Sequence, residues 1–234
     1  MIIFFAGEIQ DNRALLLGDE ARHCSKVLRK RVGDNVMFTD GKGFFYKGQI
    51  VNADKNKCEI SILEKEKAEE LPYKLSIAIS PVKNPARFEW FVEKAVEIGI
   101  DSIIPLICKR TEKKNIKTAR IENIIISASK QSLKAKFPVL KQPVAFNDFL
   151  ESINPRNTFL AHLDKDAVYL GKIASHGDEI VLLIGPEGDF TTEEISKALG
   201  IGIRTVTLGS TRLRTETAGV VVCQLINTVY EMEK

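Results

Sequence analysis

The chain has 234 residues, 44% hydrophobic and 28% charged, with a formal net charge of +3. That composition suits a globular protein of one or two domains, and no apolar run approaches the roughly 20 residues that span a bilayer. The opening "MIIFFAGEI" is apolar too briefly for a secretory signal and lacks a basic start, so a cytoplasmic protein without a membrane partner is expected.

Charge is unevenly placed: residues 1–70 are neutral, 71–150 carry +7 and 151–234 carry −4. A basic middle suggests a polyanion as partner for part of the surface. Cys24, Cys58, Cys108 and Cys223 form no C-x-x-C pair, and His23, His162 and His176 show no metal-ligand spacing. Buried reduced thiols are expected, with no metal and no disulfide framework.

Residues 1–70 read as mostly β. "NVMFTDGKGFFYKGQIV" places a hairpin signal, "TDGKG", between alternating apolar runs, and "KCEISILEK" is a further alternating strand. One helix interrupts them: "GDEARHCSKVLR" has Asp19 and Glu20 at its start and basic residues toward its end, as the helix dipole favours. Several short strands in this length predict a small barrel. The same stretch carries Arg22, Lys26, Arg29, Lys30 and Arg31 with no acid until Asp34. Arg22, Lys26 and Arg29 or Lys30 recur every three to four residues, which puts them on one helix face able to hold phosphates; a solvated face is the alternative.

The charged "EKEKAEELPYK", containing Pro72, reads as a linker. Beyond it the pattern changes. Apolar strands "KLSIAIS", "DSIIPLI", "NTFLAHL", "EIVLLIG" and "IRTVTLG" alternate with helical segments near 86–98, 118–134, 192–200 and 215–232. That alternation predicts an α/β domain with a mostly parallel sheet.

Two stretches stand out in it. "IVLLI" reads as a strand buried on both faces and ends in Gly185-Pro186-Glu187-Gly188, a turn whose glycines let backbone amides approach a ligand. Thr191 and Glu194 then fit a capping box. The second stretch, "LGSTRLRTETAG", sets Arg212, Arg214 and Glu216 among small and hydroxyl residues at the start of the last helix. A helix-capping ion pair between Arg214 and Glu216 would account for part of this. No G-x-G-x-x-G and no G-x-x-x-x-G-K-[ST] occurs, which argues against a dinucleotide enzyme or an NTPase.

Together "LLIGPEGDFT" and "LGSTRLRTETAG" resemble the C-terminal signature of the SPOUT trefoil-knot RNA methyltransferases, and more narrowly the RsmE family of 16S rRNA uracil-N3 methyltransferases. "HCSKVLRKRVGD" with "TDGKGFFY" is similar to that family's N-terminal PUA-like barrel. "FVEKAVEIGIDSIIPL" and "SASKQSLKAKFPVL" match its middle, so the resemblance covers nearly the whole chain. It implies a PUA-like β-barrel over 1–70 and a SPOUT α/β methyltransferase domain with a knot over 71–234.

It further implies S-adenosylmethionine as cofactor, a homodimer, and 16S rRNA within the 30S subunit as substrate. The cofactor would lie against Leu160, Ala161, His162, Gly185, Pro186, Glu187, Gly188, Leu208, Gly209, Leu213, Thr217 and Ala218. Arg214 would stabilise the uridine anion, and Glu216 would orient Arg214 or take the proton. Arg22, Lys26, Arg29, Lys30 and Lys134, together with the basic stretch "CKRTEKKNIKTAR", would hold RNA; Arg212 has no assigned role. The chain departs from the family in having Lys134 where arginine is usual, which keeps the charge but loses bidentate phosphate contact, and Asp189 where a second glycine is frequent. A ribose 2′-O-methyltransferase on the same fold and a non-catalytic ribosome-assembly factor are the competing readings.

Overall fold

The computed structural model describes residues 2–71, 73–164, 167–173 and 179–232. Pro72 and His176 lie outside the described residues. By internal packing the chain divides into Met1–Glu70 with Ile125–Phe137, and Leu71–Ile124 with Pro138–Lys234.

The first unit holds β1 (Ile3–Phe5), β2 (Glu8–Gln10), β3 (Arg13–Leu17), α1 (Gly18–Arg22), β4 (Asn35–Thr39), β5 (Phe44–Ala53) and β6 (Lys57–Lys67). They form one six-stranded sheet in the order β1-β4-β5-β6-β3-β2. Alternating residues Phe4, Leu16, Phe38, Ile50 and Ile60 point to one side and bury a core with Cys24 and Cys58. At "TDGKG" the chain turns through Gly41 and Gly43, both at positive φ, while Thr39 Oγ1 accepts from Gly41 N and Asp40 Oδ1 from Lys42 N. The expected linker begins later than the charges suggest. β6 continues to Lys67 against β5, because its alternating Lys and Glu side chains suit a strand's period of two. Glu64 pairs with Lys47 at 2.6 Å, and Lys65 Nζ sits 4.0 Å from the Phe44 ring centroid.

Residues Ile125–Phe137 join this unit through specific bonds. Thr39 Oγ1 and Gly43 N both donate to Ala135 O, at 3.0 Å each, and Phe137 N donates to Gly41 O. Lys130 forms an ion pair with Glu20, whose other oxygen accepts from Phe5 N. Glu20, read from the sequence as a helix-start charge, is thus the joint between β1, α1 and this segment.

The second unit holds β7 (Lys74–Ile79), α2 (Pro85–Ile98), β8 (Ser102–Ile107), the start of α3 (Thr118–Gln131), β9 (Val139–Leu140), β10 (Val144–Ala145), α4 (Phe146–Ser152), β11 (Thr158–Ala161), β12 (Val168–Tyr169), β13 (Glu179–Ile184), α5 (Thr192–Gly200), β14 (Arg204–Thr207) and α6 (Thr215–Met232). The sheet order is β10-β8-β7-β13-β11-β14-β12, with β9 also on β8, and every pairing is parallel. Both faces are covered, as parallel strands require. Ala78, Leu160 and Leu183 pack with Phe146 and Phe149 of α4 and Ala198 of α5. Ile79, one residue on and so on the opposite face, meets α6. α6 packs on α2, β7 and β13, although β14 before it lies two strands away from β13. Gly219 makes this possible: a Cβ there would stand 2.4 Å from the Phe91 ring.

α4, β9, β10 and β12 are short and went unpredicted; α4 has little more than Phe146 and Phe149 to mark a buried face. Among the described residues no helix is long and apolar enough to cross a membrane, and no three His, Cys, Asp or Glu residues cluster as metal ligands. All four cysteines are buried and none forms a disulfide among the described residues. Burial pushes the Cys24 and Cys108 thiols up to about 12 and raises that of Cys58. Since the thiolate is the nucleophile, the native protein is expected to leave all four cysteines unreactive to an aromatic disulfide reagent at pH 8 and to release four equivalents once unfolded. Rapid titration of any thiol in the native protein would contradict the packing.

Candidate functional site

Parallel strands all end at one edge of a sheet, and α/β proteins place ligands beyond the carboxyl ends. Here Ile79, Ile184, Ala161 and Val206 are in register across β7, β13, β11 and β14. Beyond them, Ser80 N donates to Ile184 O at 2.9 Å and His162 N to Val206 O at 3.0 Å. Leu160, Ala161, His162, Gly185 and Pro186 therefore share this edge, with Leu208 and Gly209 directly after β14. Thr207 Oγ1 fixes the exit, donating to Gly209 O at 2.8 Å and accepting from Gly209 N.

The turn after β13 closes with Asp189 N donating to Pro186 O. Its left-handed residue is Asp189, at φ 61°, rather than either glycine; aspartate tolerates that region. Gly185 is needed for close approach instead, since a Cβ would lie 3.1 Å from the Phe190 ring and backbone nitrogen. Asp189 Oδ1 accepts from Phe190 N at 2.7 Å, and Oδ2 lies 2.9 Å from His162 Nδ1. Glu187 is exposed and Oε1 accepts from Lys83 N, tying the β7–α2 loop to the turn. Arg110 Nη1 donates to Gly188 O at 2.6 Å. Behind the turn, Thr191 and Glu194 form the expected capping box of α5, and buried Glu194 also accepts from Lys109 N.

The second stretch reaches this turn through Thr215, whose buried Oγ1 donates to Gly185 O at 3.0 Å. Glu216 follows in the first turn of α6, where the dipole favours an anion. Its side chain is 8% exposed, Oε1 is 3.7 Å from Arg87 Nε, and among the described residues Oε2 has no hydrogen-bond partner. The sequence-based pairing of Arg214 with Glu216 does not occur. Arg214 is exposed, and no ion pair or side-chain hydrogen bond engages it among the described residues. Leu213 and Arg212 are also exposed, Thr217 is half-buried and Ala218 is buried.

Arg87 is the residue that sequence reasoning missed. Its one signal is a cation in the first turn of α2, where the dipole disfavours it unless an anion is near.

The basic face also differs from expectation. α1 ends at Arg22, loosens into a π turn over His23–Val27, and stops where Leu28 N donates to His23 O and Lys30 N to Cys24 O. Arg29 then adopts φ 52°. Arg29 and Lys30 thus lie past the helix and do not continue a helical stripe from Arg22 and Lys26. Arg22 pairs with exposed Asp19 at 3.3 Å. Half-buried Lys134 follows α3, its N donating to Ser129 O. All five belong to the first unit.

Residues 69–227 match the RNA methyltransferase domain family, and residues 16–63 match the RNA methyltransferase PUA domain family. Ribosomal RNA small subunit methyltransferase E of Mesomycoplasma hyopneumoniae is 30% identical over 94% of this chain and 96% of its own. Among solved structures, a probable rRNA-methyltransferase from Porphyromonas gingivalis superposes with a TM-score of 0.94 at 38% identity, covering both chains completely. Ribosomal RNA small subunit methyltransferase E from Neisseria gonorrhoeae, bound to S-adenosyl methionine, gives 0.87 at 28% identity over 98% of each chain.

The capping network makes a stability prediction. Glu194→Ala leaves the part-buried Lys109 and Thr191 amides without this acceptor and is expected to cost about 1–3 kcal/mol, whereas exposed Glu193→Ala costs about 0.5 kcal/mol or less. Urea unfolding of the two variants checks this; equal midpoints would mean the network contributes nothing.

Proposed function

Because the chain belongs to the ribosomal RNA small subunit methyltransferase E family, we propose that it transfers a methyl group from S-adenosylmethionine to N3 of a uridine in 16S rRNA. One observation carries the reading of the site. The 185–190 turn and the stretch after β14 meet at the carboxyl edge of the parallel sheet, and Glu216 is buried beside them with one carboxylate oxygen free.

The residues present fit the cofactor. An adenosine group needs apolar walls with a few backbone hydrogen-bonding groups. Leu160, Pro186, Leu208, Leu213 and Ala218 supply the walls; Ala161, His162, Gly185, Gly188 and Gly209 supply backbone. Glu187 and Asp189 act on the walls rather than on the ligand: one fastens the turn to Lys83, the other fixes the His162 ring. Thr217 stands in the first turn of α6 beside Ala218. S-adenosylmethionine, when bound here, supplies an electrophilic methyl.

The chain's own residues handle the uridine. N3 becomes nucleophilic only as its proton leaves, and the resulting charge spreads onto O2 and O4. Arg214, whose exposed side chain has no ion pair or hydrogen bond among the described residues, presents its cation to that charge. Glu216 is the proton acceptor: Oε2 takes the N3 proton while Oε1 remains with Arg87. A carboxylate is a weak base toward an imide N–H, so stabilisation of the anion by Arg214 must close the gap. The orienting role for Glu216 on Arg214 falls away, since its carboxylate is turned to Arg87.

The first unit grips phosphates with Arg22, Lys26, Arg29, Lys30 and Lys134. The working species is a homodimer in the cytoplasm, acting on the 30S subunit; family resemblance supports both points.

The reaction is tested by incubating the protein with methyl-labelled cofactor and unmodified 30S subunits and identifying the labelled nucleoside; label on a ribose oxygen, or none, refutes the assignment. In the same assay Arg214→Ala is expected to lower kcat by about a hundredfold or more, with cofactor affinity by calorimetry unchanged. Near wild-type turnover would remove Arg214 from the mechanism. Neutralising Lys26, Arg29 and Lys30 together should reduce the salt dependence of RNA binding, by a slope of about 2–3 on logarithmic axes; an unaltered slope counts against this segment.

A further inference from the structure

Val82, Phe88 and Ile121, all buried, and Ile116 wall a cavity of about 410 Å³ in the second unit. Lys113, Lys117 and Arg120 stand around it and are exposed. These residues lie apart from the proposed methyl-transfer site, and the three cations fall in the basic stretch read from the sequence as a phosphate grip. The volume lies within the range of small-ligand pockets, and an apolar floor with a cationic rim is an unusual pairing for a surface that meets only water.

The rim comes from "KKNIKTARI", residues 113–121, which hold four cations and no acid. Arg120 is the one of the four with an ion pair among the described residues. Its Nε and Nη2 donate to Glu89 Oε1 and Oε2 at 2.5 and 2.7 Å, so α2 fixes the plane of the guanidinium. A fixed guanidinium plane beside an apolar wall suits a flat aromatic ring, which stacks on arginine and on phenylalanine alike. Mobile lysines at the rim suit phosphates.

The cavity is also joined to the proposed methyl-transfer site. Val82 precedes Lys83, whose backbone N–H is held by Glu187 of the 185–190 turn. Arg87, between the wall residues Pro85 and Phe88 in sequence, reaches Glu216.

We propose that this cavity receives an unstacked base of the RNA, one that flanks the methylated uridine, with Lys113 and Lys117 on its phosphates and Arg120 against its ring. The inference rests on the reading of the chain as an RNA methyltransferase. It adds a sequence- or conformation-reading pocket separate from the place where chemistry occurs. Holding a neighbour in this way would draw the target out of its stack, a step that enzymes acting on bases require.

Photocrosslinking tests it directly. RNA fragments bearing 5-iodouridine at single positions flanking the target are bound to the full chain and irradiated, and the crosslinked peptide is identified. At least one position is expected to crosslink to Phe88 or to residues 113–121. Crosslinks confined to other peptides overturn the proposal.

Ile116→Trp, in a loop, fills the cavity and should weaken RNA binding at least about tenfold, the loss of one stacked base, with calorimetric affinity for S-adenosylmethionine unchanged. Lys117→Ala, fully on the surface, should lower RNA affinity and the salt slope without any risk to folding. RNA binding at wild-type strength by both variants sinks the idea. So does a change in the sedimentation of Ile116→Trp protein alone, which would make the cavity an interface between copies. Labelling of 30S subunits by the wild type is followed in parallel, so failure of the pocket and failure of the methyltransferase reading give different results.

Discussion

Thr215 donates its hydroxyl proton to the Gly185 carbonyl, and that bond organises the site. The parallel sheet alone delivers four chain ends to one edge, but they leave it in different directions. The bond draws the stretch after β14 back onto the turn after β13, thirty positions earlier. It can form because Gly185 has no Cβ to meet Phe190, and because α6 seats closely on α2 through Gly219. Glu216 is buried as a consequence. A carboxylate in that position is costly unless compensated. The start of α6 and Arg87 compensate in part, and Oε2 is left without a hydrogen-bond partner among the described residues.

The turn shows how a side chain can make a left-handed residue hold its place. Asp189 sits in the left-handed region. Aspartate tolerates that backbone less readily than glycine. Its side chain, however, bonds Phe190 N and His162 Nδ1, two contacts that glycine could not make. Glu187 and Arg110 add further ties from either side. Two side chains of the turn, Glu187 and Asp189, and one from outside it, Arg110, thus tie down a turn that the sequence presents as glycine-rich and loose.

Local rules were legible where the structure obeys them locally. The α5 capping box, the "TDGKG" turn and the five longer strands of the parallel sheet all follow from residues within one element. The failures are of another kind. β6 outran its predicted end because cross-strand partners, Lys47 and Phe44, reward charges that look like linker. The basic stripe broke because α1 stops in a π turn, which composition does not announce. Segment 125–137 groups with the first unit through bonds to Thr39, Gly41 and Gly43, far away in sequence. Arg87 and Glu216 were invisible as a pair for the same reason. The family signature marks which stretches matter, whereas which side chain faces which is decided by contacts between residues far apart in sequence.

α6 leaves the ribosome after every strand of the sheet it must join, and its anchors lie far upstream: Asn227 donates to the Tyr73 hydroxyl across 154 positions. Contacts of such separation form late and slowly. During synthesis β7, α2 and β13 therefore wait with an apolar face uncovered, and neither Thr215 nor Glu216 has a site to complete. The helix made after every strand of the sheet is thus the one that covers this face and brings Thr215 onto Gly185.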